Sequence, residues 1–325
     1  MIACCYRTGS GDLRLDLSPA EIGEALRESG GLLWVDIDSA SRAEAEPLLA
    51  EVLGFHPLTI DDCFNDLLDP PKIDDYEGYL YVIVHEVEYD EKARWLTTRE
   101  LNLYIGPNYV VSFHKTPLAS VEDVRRRTEQ NHLLTTRGAA FLAHALIDVV
   151  VDGFHPVANT IDEQVAVLEE RVVASPGEET LHQILQLKRI TQRLKRTVLP
   201  QRDVANRFAR GEFGHLIAAE SLMYFRDIYD HTVRVEELIE SVRDLADSTL
   251  NTYLSSVNNR INEVMKTLAI VTVVFLPLTL IAGVYGTNFE NVDEYGWRFG
   301  YAGMLIGMGA LAVALVGWFK WRGWF

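Results

Sequence analysis

Thr267–Phe289 reads TLAIVTVVFLPLTLIAGVYGTNF, 23 residues without one charge. About 20 apolar residues suffice for a helix to cross a bilayer. Upstream, His215 to Leu276 contains neither glycine nor proline, so nothing in the sequence interrupts a helix. Apolar residues recur there at helical spacing: Leu222, Phe225, Ile228, Val235, Leu238, Val242, Leu245, Tyr253, Val257, Ile261, Val264 and Leu268. At about 1.5 Å per residue, one helix from His215 to Tyr285 is on the order of 100 Å long, beyond any ordinary globular domain. The expectation is a single helix that leaves the cytoplasm and enters the membrane.

A second uncharged run, Phe299 to Phe319, is 21 residues long, and only Glu290 to Arg298 separates the two. Such spacing predicts a tight transmembrane hairpin. Lys266 precedes the first run, and Lys320 and Arg322 follow the second, whereas the loop holds only Arg298. The excess of basic residues marks the cytoplasmic side, which places both termini there and makes the chain a multi-pass protein of the inner or plasma membrane with lipid as its surroundings. Tyr295, Trp297 and Tyr301 flank the outer interface; Trp318, Trp321 and Trp324 flank the inner one.

Charge is unevenly placed. From Lys266 onward four bases stand against three acids, a net +1, so of the total of −17 the first 265 residues carry −18. A surface of that sign repels nucleic acid and favours cations. Three cysteines without paired spacing (Cys4, Cys5, Cys63) suggest a reducing compartment, and the N-terminus lacks the apolar core of a signal peptide. Nine histidines are scattered, with no His-Glu-x-x-His, Cys-x-x-Cys, Walker loop or dinucleotide fingerprint. No organic cofactor and no enzymatic chemistry are expected.

Ahead of the long helix, Ser18-Pro19-Ala20-Glu21 forms a capping-box start to a helix that ends near Gly30-Gly31. Leu32 to Ile37 reads as a buried strand, and Arg42 to Leu53 as a helix stopped by Gly54. Tyr79 to Tyr89, Arg99 to Ile105 and Tyr109 to His114 are rich in β-branched and aromatic residues, the last two joined by a Gly106-Pro107-Asn108 turn. Beyond Pro117 strand signals cease: Ser120 to Asn131, Arg137 to Val173 and Glu178 to Arg210 are helical, with a kink or early end expected at Pro156. The chain thus divides into an α/β domain (1–116), a helical layer (117–214), a stalk helix (215–266), a first transmembrane helix (267–289), an outer loop (290–298), a second transmembrane helix (299–319) and a basic tail (320–325).

Two transmembrane helices cannot enclose a pore, so the hairpin is either an anchor or one of several copies around an axis. Asn262, Met265, Ala269, Thr272, Leu276, Thr279, Gly283 and Gly286 supply a seam of small, polar and apolar groups along the first helix, with spacings that fit pore lining or plain helix packing equally. The segments that follow are more specific: Tyr285-Gly286-Thr287-Asn288-Phe289-Glu290-Asn291 and, after the loop, Trp297-Arg298-Phe299-Gly300-Tyr301. With Asn258-Asn259-Arg260, Asn262-Glu263-Val264-Met265-Lys266, Phe275-Leu276-Pro277-Leu278-Thr279 and Tyr224-Phe225-Arg226-Asp227-Ile228-Tyr229-Asp230-His231, they resemble the CorA family of divalent-cation channels. The likeness covers residues 220–325 in motif and the whole chain in architecture.

This resemblance implies a fold, a cargo and a set of residues. The fold is an α+β/α membrane protein with a cytoplasmic N-terminal α/β domain, a helical stalk and two C-terminal transmembrane helices, assembled with itself as a funnel-shaped homopentamer. The cargo is Mg²⁺, with Co²⁺ and Ni²⁺ beside it, moved down the electrochemical gradient. Gly286, Thr287, Asn288 and Glu290 form the selective mouth, above a path lined by Asn262, Met265, Leu268, Thr272, Leu276, Thr279 and Gly283. Mg²⁺ gives up its waters reluctantly, and a ring of Asn288 amides can accept hydrogen bonds from a hydrated ion without trapping it. Regulatory Mg²⁺ between neighbouring subunits implicates Asp227, with Glu88 and Asp90 of the next subunit among Glu86, Glu88, Asp90 and Glu91; Asp148 and Asp152, one turn apart, suit a second site. Thr287 departs from the methionine of the main branch, and the zinc-transporting ZntB branch differs there too, so a ZntB-like zinc carrier with proton coupling is the alternative ion. A membrane-tethered cytoplasmic enzyme or scaffold is the alternative of another class.

Overall fold

The computed structural model describes residues 1–28, 30–130, 133–174, 176–287 and 298–324. It divides into two units: Met1–Arg171 with Gly177–Leu250, and Val172–Pro176 with Asn251–Phe325.

The first unit is built on seven strands, β1 (Ile2–Arg7), β2 (Leu13–Leu15), β3 (Leu32–Asp38), β4 (Lys72–Tyr76), β5 (Tyr79–Asp90), β6 (Trp95–Ile105) and β7 (Tyr109–His114), in the order β2-β1-β3-β7-β6-β5-β4. Among the described strand pairs, β3 and β7 run parallel and the rest antiparallel. β5 is buried from Tyr79 through Val87, because both faces of the sheet are covered and each residue of either parity meets core. On one face α1 (Pro19–Ala25), α2 (Arg42–Pro47) with its π-helical extension Leu48–Val52, and α3 (Pro57–Phe64) pack Ile22, Leu49, Ile60 and Cys63 against Tyr81, Ile83, Tyr104 and Phe113. α4 (Ala119–Gln130), α5 (Leu133–Thr136), α6 (Ala139–Asp152), α7 (Phe154–Ala174) and α8 (Glu178–Ala209) follow, α6 lying on β5, β6 and β7 and α8 on β4, β5 and β6. β6 turns into β7 at Gly106, where a Cβ would sit 2.2 Å from the Tyr109 ring.

α9 (Leu222–Tyr285) has 64 residues. Its first part runs antiparallel to α8, as three ion pairs record: Lys188 with Asp247 at 2.5 Å, Lys195 with Glu240 at 2.6 Å and Arg202 with Glu236 at 2.7 Å. The helix expected from His215 begins instead at Leu222. Ala218 is extended, and Phe213 and Ile217 are buried in the reversal between α8 and α9, so those apolar residues anchor a turn. The break expected at Pro156 falls at Gly153, and Pro156 sits in the first turn of α7, where its missing N–H costs nothing.

In the second unit, α9 continues through Pro277 to Tyr285, and α10 spans Gly300–Trp321. Lys266 lies over the Trp324 ring at 6.0 Å and Arg322 over Trp318 at 5.4 Å, with Phe319 packed on Trp324, so the basic residues gather where α10 ends beside the start of the apolar run of α9. Among the described residues, three stretches are long and apolar enough to cross a membrane. In Ala139–Ala174 that apolarity serves the core: Leu142, Leu146 and Val150 are wholly buried. The windows in α9 and α10 are only 11% and 6% buried, so their side chains face outward and need another apolar medium.

Candidate metal centre and ion path

Two helices of the first unit converge on a cluster of donors. α6 presents Asp148 and Asp152, four residues apart and therefore on one face; α9 presents Asp227 and His231 at the same spacing. The ligand atoms of Asp148, Asp152 and His231 all lie within 4.8 Å of one another. His231 Nδ1 stands 3.2 Å from Asp152 Oδ1, and its Nε2 3.7 Å from Asp227 Oδ1, so the imidazole bridges the acids of both helices.

Local packing makes this a demanding place for a carboxylate. Among the described residues, Asp148 Oδ1 is buried without a hydrogen-bond partner, and one turn before it neither ring nitrogen of His144 has one. The His144 ring is held among Phe141, Tyr224 and Phe225. Burial pushes the Asp148 carboxyl up to about 6, with Asp152 adding to the rise. Burial also lowers the His144 pKa, keeping that ring neutral. A buried acceptor without a donor, beside further carboxylates, is relieved by a cation or by its bound water. The donor set fits a divalent ion: hard carboxylate oxygens suit Mg²⁺, and one imidazole adds affinity for Co²⁺, Ni²⁺ or Zn²⁺.

The other acids named from sequence are placed differently. Glu86 is buried and accepts a hydrogen bond from Ser120 N at the start of α4, a structural task. Glu88 is paired with Arg99 at 2.5 Å. Asp90 Oδ1 accepts from the N–H groups of Lys92 and Ala93, shaping the β5–β6 turn, and makes no ion pair among the described residues. Sequence reading passed over His231; its spacing from Asp227, one turn on in the same quoted motif, was the available signal.

In the second unit, Asn262, Met265, Leu268, Thr272, Leu276, Thr279, Gly283, Gly286 and Thr287 are all exposed. Thr272, Leu276, Thr279, Gly283 and Thr287 line one open groove of 640 Å³. The Thr272 hydroxyl donates to Leu268 O at 2.8 Å and that of Thr279 to Phe275 O at 2.9 Å. With the proton committed to the backbone, each oxygen presents lone pairs, suited to accept from the waters of a hydrated cation. Gly286 N donates to Ala282 O at 3.0 Å as the helix ends, and a Cβ there would lie 3.1 Å from that same oxygen. Asn288 and Glu290 lie outside the described residues.

The model of the family described as CorA-like Mg²⁺ transporter protein matches residues 29–321. The cobalt/magnesium transport protein CorA of Thermotoga maritima is 36% identical over 299 residues, covering 92% of this chain and 85% of that protein. The complete structure of the CorA magnesium transporter from Methanocaldococcus jannaschii superposes with a TM-score of 0.85, covering 99% of this chain and 98% of that one at 20% identity. The cytoplasmic domain of ZntB from Vibrio parahaemolyticus shares the fold as well, with a TM-score of 0.62 at 12% identity, over 78% of this chain and 98% of that domain. Members of the matched family are membrane transporters of Mg²⁺ and other divalent cations and not enzymes, and this chain, from its α/β domain to its apolar C-terminal helices, belongs to the CorA-like Mg²⁺ transporter family.

Proposed function

We propose that this protein conducts Mg²⁺, and with it Co²⁺ and Ni²⁺, across the inner or plasma membrane down the electrochemical gradient, and that cytoplasmic Mg²⁺ closes it. The observation that carries the reading is that one helix, α9, bears both Asp227 and His231 of the donor cluster and the exposed polar seam from Asn262 to Thr287. The apolar parts of α9 and α10 cross the bilayer as two spans, with both termini and the first unit in the cytoplasm. Five copies surround the path, since a lone pair of helices leaves the polar seam facing lipid.

In this reading a hydrated ion passes Gly286, Thr287 and Asn288, with Glu290 concentrating cations at the mouth, and descends past Thr279, Thr272, Met265 and Asn262, with Leu276 and Leu268 as the narrow apolar points. Mg²⁺ is held by Asp148, Asp152, Asp227 and His231, together with Glu88 and Asp90 of a neighbouring subunit. Losing that ion leaves like charges facing one another, and the population shifts toward the open form by the difference in ion affinity between the two. The imidazole of His231 and the threonine at 287 favour a second reading, a ZntB-like zinc carrier with proton coupling. Uptake into liposomes holding the purified protein, measured for Mg²⁺, Co²⁺, Ni²⁺ and Zn²⁺ with and without a pH gradient, decides the matter. Mg²⁺ uptake independent of the pH gradient supports the channel, and Zn²⁺ uptake driven by protons supports the carrier.

A further inference from the structure

Away from the donor cluster, a cleft of 440 Å³ opens between α8, the β5–β6 hairpin and the segment around Pro70 and Pro71. Its volume falls in the range of small-molecule sites. Three features of its lining bear on what it can hold. Trp95 is 54% exposed despite its size, with the Arg193 guanidinium 4.6 Å from its ring centroid. Arg193 and Arg196 have no carboxylate within 4 Å among the described residues of a chain of net charge −17, although Lys188, Lys195 and Arg202 on the same helix are each paired with an acid of α9. His85, 5% exposed, contributes to the lining. Its Nε2 lies 2.8 Å from Asp69 O, which can only accept, so the proton sits on Nε2 and Nδ1 is an acceptor. That Nδ1 is buried and has no donor among the described residues.

These features specify a ligand that is both negatively charged and flat. Free phosphate satisfies only the arginines, and a neutral aromatic compound satisfies only Trp95. We propose that the cleft binds a nucleoside phosphate, its base against Trp95 and its phosphates on Arg193 and Arg196. Guanidinium groups pair with phosphate oxygens through parallel hydrogen bonds, and an exposed indole stacks on any base. The cleft also touches the candidate regulatory hairpin, because Trp95 pairs across the sheet with Asp90 and Thr97 with Glu88. Bound nucleotide therefore holds the strand that presents Glu88 and Asp90. This last step rests on the proposed gating, whereas the binding itself does not.

The test is equilibrium dialysis of the full-length detergent-solubilised protein against radiolabelled ATP in EDTA, which keeps metal-mediated binding out of the readout. Saturable binding is expected. It should weaken by at least about tenfold in Arg193→Ala/Arg196→Ala, in keeping with loss of charge-assisted bonds. Trp95→Ala should weaken ATP binding and leave tripolyphosphate binding unchanged, whereas Trp95→Phe, which keeps an aromatic face, should retain ATP. Unchanged melting temperatures in the three variants assign the losses to the cleft. Absence of saturable binding overturns the proposal, as does ATP affinity untouched by the double arginine substitution. Equal affinity for ATP and tripolyphosphate, both insensitive to Trp95→Ala, overturns the nucleoside part and leaves a phosphate contact only. Because no ion flux is measured, the outcome stands whether or not the transport reading survives.

Discussion

His231 on α9 and Asp152 on α6 meet with Nδ1 3.2 Å from Oδ1, joining the helix that continues into the apolar region to the helix that lies on the sheet. Asp227 and Asp148, set one turn from each partner, turn that pair into a four-residue cluster on two elements. A cation seated there ties the two helices together, and its departure leaves carboxylates that repel at close range.

The cluster should therefore bind divalent ions measurably in the isolated protein. Mg²⁺ and Co²⁺ are expected to raise the melting temperature, since ligands that bind only the folded state stabilise it by mass action. His231→Ala should reduce apparent Co²⁺ affinity by at least about tenfold, the loss that even outer-shell substitutions cause, and Mg²⁺ affinity by less, because Mg²⁺ prefers oxygen. Thermal shifts titrated with each ion give the comparison, and equal losses for both ions would remove His231 as a direct ligand.

Asp148 supplies a pH test. Its carboxyl is raised from 3.8 to about 6 in the folded protein, with burial as the leading cause. A carboxyl raised on folding costs stability when ionised, so the penalty is full above about pH 6 and disappears as pH falls toward 3.8. In EDTA at pH 7, Asp148→Asn should thus stabilise the protein by about 1–2 kcal/mol, after discounting for partial exposure. With Mg²⁺ present the substitution should reduce ion-induced stabilisation, and wild-type Mg²⁺ affinity should fall between pH 7 and pH 5.5 as Asp148 protonates. Chemical denaturation in EDTA across that range reads the first effect; destabilisation by Asp148→Asn at pH 7 contradicts it.

The elements that carry this site were legible in sequence to unequal degrees. β3, β5 and β7 stood out because they are buried on both faces and rich in β-branched and aromatic residues. β1 and β4 did not: IACCYR is weakly β-branched, and KIDDY is a charged edge strand whose pairing to β5 depends on partners far along the chain. The long helix and the two uncharged runs were plain, since length and charge decide them locally. Asp148, Asp152 and Asp227 could be named as candidates, but that α6 and α9 bring them to one imidazole is a tertiary fact that no spacing shows. The opposite held for Glu86, whose sequence neighbours are acids while its fold neighbour is the N-terminus of α4.

At the mouth, Asn288→Ala should abolish selective divalent flux while the assembled protein keeps its size in gel filtration, because the amide is the proposed acceptor for the waters of the ion. Thr287→Met should leave the order of ion preference unchanged if residue 287 only packs against neighbouring helices. A change from Zn²⁺ to Mg²⁺ preference on that substitution would assign selectivity to Thr287 and favour the carrier reading.

Gly106 offers a check on the fold alone. An added Cβ overlaps the Tyr109 ring at 2.2 Å, so the ring must leave its place against Phe55. Gly106→Ala should destabilise by about 1–3 kcal/mol, the usual cost of overpacking. Gly78→Ala is expected to destabilise through its left-handed backbone (φ +92°) rather than through collision, since nothing lies within 4 Å. Pairing either with Tyr109→Ala distinguishes the two: the Gly106 effect should shrink and the Gly78 effect persist.

Passage of Mg²⁺ through this protein, and its closure from inside through the α9 cluster, are tested by Mg²⁺ influx into liposomes preloaded with graded Mg²⁺, comparing wild type with Asp227→Asn. Influx should be rapid at low internal Mg²⁺ and fall steeply as internal Mg²⁺ rises, with the same fall displaced to higher concentration in Asp227→Asn and maximal influx preserved. Influx no greater than in protein-free liposomes contradicts the transport reading, and superimposable curves for the two proteins contradict closure through Asp227.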